Sequence, residues 1–349
     1  MLVFYAYFVF VIVIAIFLKD KLKTLPMRKF AIFLYGFPLV LISGFRHSSV
    51  GNDTIGYLEY FNSVAILDFK LLLEEREPGF SFLIKLISGI STNPVFLLTC
   101  IATLFTTSIS VIIYRYSKSY SSSYILLVSL GIFVFSMTGL RQILAMSILI
   151  ASVEFIFQRR LFPFLLFCLL SFFVHNTALI FIPAYFLYNV KFDLKHLLAF
   201  LTIGIIANIF QEFFFIILFK LIYLERFIHY ENAMTSLSLS GFYIQLIIII
   251  FCAFSYKNII YKNHENMFFF NLMIIGVLFQ FLTPIFAEFF RVSLYFNIFS
   301  VILVSNVIKG NIKFEHSFMK YLCVVLISIF YFSISSQNRI ISDYKFFWQ

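Results

Sequence analysis

Thr138-Gly139-Leu140-Arg141 stands between two long apolar runs, residues 122–138 and 141–157. How the chain passes through these four residues sets its threading. Each flanking run is close to the roughly 17 residues that mark the short end of a membrane-spanning helix. The break between them is too short for a loop of any size, so the chain reads as a tight reversal at the membrane edge. A charge at such depth costs about 2.5–3.5 kcal/mol on insertion scales. Arg141 therefore either snorkels to the headgroups, forms an ion pair, or binds an anion.

The same apolar pattern extends in both directions. Spanning segments are expected at approximately 2–18, 29–44, 94–114, 122–138, 141–157, 161–174, 177–190, 197–222, 241–256, 267–285, 290–308 and 318–335. The stretch from Leu161 to Val190 must cross twice with about 14 residues each way, which predicts broken or tilted helices. The fold class is thus all-α: a polytopic integral membrane protein with about 12 transmembrane helices, some short or broken. Hydrophobic residues make up 62% of 349 positions and charged residues 12%. The charged share is about half that of a soluble domain. No stretch is long enough for a separate soluble unit, and residues 1–349 read as one transmembrane domain. The run Leu2–Leu18 has a basic cluster after it and no small-residue cleavage site, so it reads as a retained helix with its N-terminus outside.

The basic residues sort by side. Lysines crowd the loops at Lys19–Lys29, Lys118, Lys191–Lys195, Lys257–Lys262 and Lys309–Lys320, which marks those loops as cytoplasmic. The opposite loops are poor in lysine yet hold Arg46, Arg76, Arg141, Arg226, Arg291 and Arg339. The net charge of +10 is mostly that of the cytoplasmic loops, and nucleic acid is not an expected partner. Arginine carries a planar fork of donors that fits phosphate and carboxylate. Arginines facing an outer cavity therefore point to an anionic, lipid-linked substrate.

The longest outer loop, within residues 44–93, opens with Arg46, Gly51, Asp53 and Tyr57, and later carries Glu77-Pro78-Gly79. Residues 57–73 mix aromatic, polar and apolar types, as an interfacial helix would, with Asp53 or Thr54 as its cap. Residues 80–90 are apolar but too short to span, and read as a re-entrant or interfacial helix. A second outer loop, residues 225–240, holds Arg226, His229, Tyr230 and Glu231. His175 in Val174-His175-Asn176-Thr177 is placed to accept a proton near neutral pH, or else is a buried histidine held by a carbonyl. Glu288 and Arg291, three apart on one helix, either pair with each other or contact substrate. Cys100, Cys168, Cys252 and Cys323 lie inside apolar runs and read as packing residues. The sequence has no zinc-protease, P-loop or nucleophile-elbow motif, and no metal-ligand spacing. No cofactor is expected; a metal carried by the substrate itself stays open.

Taken in order, Arg46…Gly51-x-Asp53-x-x-x-Tyr57, Glu77-Pro78-Gly79-Phe80, Gly139-x-Arg141-Gln142, His175-Asn176-Thr177-Ala178-Leu179-Ile180 with Pro183, and Phe290-Arg291-x-x-x-Tyr295 resemble the EpsG family, polytopic Wzy-type polymerases of bacterial surface polysaccharides. The loop before Glu77 departs from that pattern in being acidic (Glu74, Glu75). The resemblance implies glycosyl transfer at the outer, periplasmic face of the bacterial cytoplasmic (inner) membrane. The donor would be a glycan on undecaprenyl pyrophosphate and the acceptor a repeat unit on the same carrier, in O-antigen, capsule or exopolysaccharide synthesis. Membrane lipid surrounds such a protein, and a chain-length regulator and a flippase are its expected accessory partners. On this reading Arg141 and Arg291 bind pyrophosphate with help from Arg46, His175 or Asp53 takes the hydroxyl proton, and Tyr57 and Glu77 position sugars. A lipid-linked oligosaccharide flippase, a ligase using the same carrier, and a non-catalytic scaffold are the competing readings.

Overall fold

A computed structural model describes residues 2–18, 21–211, 213, 239–311 and 342–349. The expected span 318–335, most of the loop bearing Arg226, His229, Tyr230 and Glu231, and the positions Cys323 and Arg339 lie outside the described residues. The described chain is helical. It contains no strand, only an isolated antiparallel bridge between Arg46 and Phe346.

The helices are α1 (Leu2–Leu18), α2 (Leu25–Gly44), α3 (Thr54–Ile66), α4 (Phe69–Leu72), α5 (Pro78–Ile90), α6 (Pro94–Tyr116), α7 (Tyr120–Ser129), α8 (Ile132–Phe135), α9 (Leu140–Phe157) and α10 (Leu161–Val174). A 3-10 turn, Asn176–Phe181, leads to α11 (Ala184–Leu187) and α12 (Leu194–Ile209). Beyond residue 239 come α13 (Ser240–Ala253), a π turn (Tyr256–Ile260), α14 (His264–Phe281), α15 (Phe289–Asn297) and α16 (Ser300–Asn311).

Among the described residues, α2, α6 and α9 are long and apolar enough to cross a membrane. The pair α15 and α16, bent by 44°, makes a fourth candidate. Six further apolar helical segments among the described residues have 10–17 residues, so three or four of the expected twelve or so crossings are of full length there. Two expected spans differ in form. The run 122–138 is two helices, because Gly131 adopts a left-handed φ of 77° between α7 and α8. The run 177–190 is a 3-10 turn and one short helix, entered through the extended backbone of His175 and interrupted by Pro183.

The chain divides into two compact units, Met1–Ile182 with the tail 342–349, and Pro183–Asn311. In the first unit α9 is buried nearly all round, and α6 and α10 pack against it. Ser171 on α10 donates to the Ala145 carbonyl of α9 at 2.8 Å. Such hydroxyl bonds between apolar helices contribute about 0.6 kcal/mol each. The outward face of α10 carries Leu165, Leu166, Leu169 and Leu170, all exposed. An exposed leucine stripe costs little when the solvent is lipid. In the second unit α14 is the central helix, flanked by α12, α13, α15 and α16. A carboxamide seam runs through it: Asn297 donates to Gln245, Gln245 to Gln280, and Ser293 also to Gln280.

Candidate functional site

The expected interfacial segment forms α3 and the short α4, and the expected re-entrant segment forms α5. These elements bring the start of α5, the start of α9 and the end of α10 to one place. Pro78 opens α5, where its missing N–H leaves no bond unmade. A Cβ at Gly79 would stand 2.9 Å from the Phe173 carbonyl carbon and oxygen, so only glycine lets α5 approach the end of α10 this closely. The approach delivers Glu77, at the N-cap of α5, to the backbone break at His175.

Glu77 is the hub. Its side chain is 8% exposed. Oε1 accepts from His175 Nδ1 at 2.7 Å and from the Asn176 amide at 3.1 Å. Oε2 accepts from Arg141 Nη1 at 2.9 Å. Burial alone would raise its pKa; the His175 hydrogen bond and charge, the Arg141 bond and the Asn176 amide outweigh it and hold the carboxyl down at about 2. The carboxylate can only accept, so His175 Nδ1 must carry its proton. In the neutral ring Nε2 is then the free acceptor. The His175 side chain is 19% exposed, and Nε2 has no hydrogen bond among the described residues.

Arg141 occupies the first turn of α9, after a turn in which the Gly139 amide bonds the Phe135 carbonyl. Its guanidinium carbon lies 4.9 Å from the Phe80 ring centre, 5.0 Å from Tyr60 and 5.9 Å from Tyr57. Rings at these distances attract the cation through their π faces. Glu77 and the rings fix the fork, while Nε and Nη2 make no hydrogen bond to any described residue. The side chain stays 30% exposed. The aromatic wall is itself tied down: Tyr60 stacks on Phe80 at 10° between planes, and its hydroxyl meets Ser81 Oγ at 2.5 Å.

The other sequence candidates fall elsewhere. Arg46, expected to assist at pyrophosphate, is 1% exposed. Its guanidinium donates to the carbonyls of Ser43, Val50 and Met137, the last two at 3.2 and 3.1 Å. It faces backbone oxygen rather than open space. Asp53 takes the N-cap position of α3 but makes no capping bond, and it is exposed. Thr54 bonds back to the Val50 carbonyl at 2.7 Å. Tyr57 lies beside Phe80 and Arg141, as described. Arg291 pairs with Glu288 at 3.4 Å in the second unit, the local pairing its spacing allowed. Sequence reasoning gave no role to Tyr60, Phe80 or Ser81. The available signal was the i, i+3 spacing of Tyr57 and Tyr60, which puts both rings on one face of α3. Among the described residues no group of three or more His, Cys, Asp or Glu could hold a metal. Cys100, Cys168 and Cys252 are free thiols, the last two buried.

A profile described as the EpsG family matches residues 28–347, a range that contains every element of this cluster. The chain belongs to the EpsG family. No curated protein and no solved structure matches it significantly. EpsG family proteins include Wzy-type polymerases, so membership assigns the chain to polysaccharide polymerisation as a class of function. With its apolar helices, it also makes the chain a membrane protein.

Proposed function

We propose that this EpsG family protein polymerises lipid-linked oligosaccharide repeat units by glycosyl transfer between undecaprenyl-pyrophosphate-linked substrates, at the outer face of a bacterial cytoplasmic membrane. One observation carries the reading: the Glu77 carboxylate joins His175 and Arg141 and leaves the Nε2 lone pair and the outer guanidinium edge without hydrogen-bond partners among the described residues. The first is a base and the second an anion site, held by one residue.

In the proposed reaction a hydroxyl of the acceptor sugar attacks the anomeric carbon of the donor glycan. Its proton passes to His175 Nε2. The bond from the anomeric carbon to the lipid diphosphate breaks, and its electron pair leaves with the diphosphate. Arg141 meets the charge that develops there, in a position fixed before substrate arrives. Glu77 holds the imidazole in the productive tautomer and stabilises the imidazolium that forms, as a carboxylate does beside a catalytic histidine. The rings of Tyr57 and Tyr60 offer apolar faces to the sugar. Arg46 moves in this scheme from ligand to framework, and Asp53, exposed at the start of α3, yields the base role to His175. Arg291, paired with Glu288 in the second unit, is given no part in this reaction.

A deletion strain tests the reaction class. Loss of a polymerase leaves single repeat units on the final acceptor; loss of a flippase leaves no surface glycan, and loss of a ligase strands polymer on its carrier. Complementation with Arg141→Ala is expected to give protein at normal abundance and no long chains. Arg141→Lys is expected to fail as well, because a point charge does not reproduce the fork. Normal chain length with Arg141→Ala removes Arg141 from the reaction.

A further inference from the structure

Arg46 and the loop around it do something the transfer reaction alone does not require. The Arg46 guanidinium is buried without a carboxylate partner among the described residues, and its donors converge on three backbone carbonyls. Two of these, Ser43 and Val50, belong to its own turn. The third, Met137, lies 91 residues away in the segment that leads into α9. Thr54, in the first turn of α3, sends its hydroxyl to the same pair of oxygens, 2.7 Å from Val50 O and 3.2 Å from Met137 O. Gly51 completes the contact. Its φ is 98°, and a Cβ there would stand 2.3 Å from the Met137 carbonyl oxygen. One carbonyl thus receives a guanidinium, a hydroxyl and the close approach of a glycine.

The turn is closed from its other side by the C-terminal tail. The His47 amide donates to the Lys345 carbonyl and the Phe347 amide to the Phe45 carbonyl, both at 2.9 Å. The Tyr344 hydroxyl donates to the Ile42 carbonyl at 2.6 Å. Burial pulls the Arg46 pKa down to about 10, which leaves it a full cation at neutral pH. A buried cation is expensive unless every donor is used, so this geometry is intolerant of slippage.

The two segments tied together are the ones that carry the proposed site. Met137 stands four residues before Arg141, and Thr54 opens the helix that carries Tyr57 and Tyr60. We infer that Arg46 is a positioning residue: through the Met137 carbonyl it fixes the break before α9 against the start of α3, and so holds the Arg141 fork in register with its aromatic wall. The inference rests on the proposed anion role of Arg141. It replaces a contact between Arg46 and substrate by an indirect action.

The full-length protein in lipid nanodiscs, titrated with inorganic pyrophosphate, provides one test, and amide hydrogen exchange over residues 50–57 and 137–143 provides the other. Arg46→Gln is expected to weaken pyrophosphate binding about tenfold when Arg141 is present and not at all in an Arg141→Gln background, since coupled neighbours are not additive. Gly51→Ala, which perturbs the same carbonyl without touching any charge, is expected to do the same. Both are expected to speed exchange at 137–143. Arg46→Lys is expected not to rescue, because an ammonium cannot span three carbonyls set for a fork. Ile109→Ala, a core change in the middle of α6, is expected to lower the melting temperature and leave affinity intact. The proposal is overturned by a further loss of affinity when Arg46→Gln is added to Arg141→Gln, by full affinity in Arg46→Lys, by unchanged exchange at 137–143, or by an equal loss in Ile109→Ala. If the unaltered protein fails to bind pyrophosphate, the anion reading of Arg141 falls, and the exchange data alone decide whether Arg46 sets the register of the break.

Discussion

The polar groups of the two units are used in opposite ways. In the first unit Glu77, Arg141 and His175 are charged or titratable and only partly closed off, and they retain donor and acceptor positions that no described residue fills. In the second, Gln245, Gln280, Ser293 and Asn297 are neutral and joined in one hydrogen-bonded chain, and Gln280, Ser293 and Asn297 are buried. Charges are the costlier groups to keep near a membrane, yet they are the ones left unsatisfied. The difference separates a place built to exchange partners with a ligand from a seam that sets helix register.

Perturbations of each region sharpen or break that contrast. His175→Ala is expected to reduce polymer formation by about 10²–10⁴-fold, the usual worth of a general base. Near-normal polymer from this variant, measured by chain-length profile in the deletion strain, would move the proton transfer elsewhere. Arg141→Ala comes next, at about 10²–10³-fold, the effect of removing one preorganised donor from a developing anion. Glu77→Gln is expected to lower the rate about 10- to 100-fold, by analogy with partners that orient metal-ligating histidines. A Gln amide can still accept from His175, but it turns a donor toward Arg141.

Glu77 also predicts a pH dependence. Its pKa is lower in the folded protein than its ordinary 4.5, so the stability it contributes is complete above about 4.5 and vanishes as pH falls to about 2. The difference in melting temperature between the wild type and Glu77→Gln should therefore shrink steadily as pH falls below about 4.5. A difference that keeps growing as pH falls from about 4.5 to about 2 would contradict the ion pair. The smallest effect belongs to the seam. Asn297→Ala is expected to cost about 0.6 kcal/mol of stability, up to about 1.7, and to leave polymer length unchanged. Loss of polymerisation in folded Asn297→Ala would make the seam part of the substrate path and end the contrast.

Much of the helical layout was legible from residue order. The expected segments 2–18, 94–114, 141–157 and 161–174 became α1, α6, α9 and α10 with ends within two residues. Such runs are apolar on all sides, and their helicity depends on backbone hydrogen bonds made inside the segment rather than on any partner. The run 122–138 was misjudged because composition does not reveal that Gly131 takes a positive φ. The pairing of Glu77 with His175 and Arg141 leaves no mark in the sequence, where a Glu-Pro-Gly turn before a helix explains itself locally.

The all-α class, the apolar runs and the residues with chemistry to offer follow from residue order alone, because hydropathy, helix-breaking residues and side-chain type are local properties. How those residues are used depends on packing. Glu77 and Arg141 lie 64 positions apart and Glu77 and His175 lie 98 apart, and no local property carries a pairing across such distances. Arg46 and Arg141 present the same fork to a reader of sequence. Burial against three carbonyls makes one of them part of the framework, and partial exposure beside a single carboxylate leaves the other with donors to give.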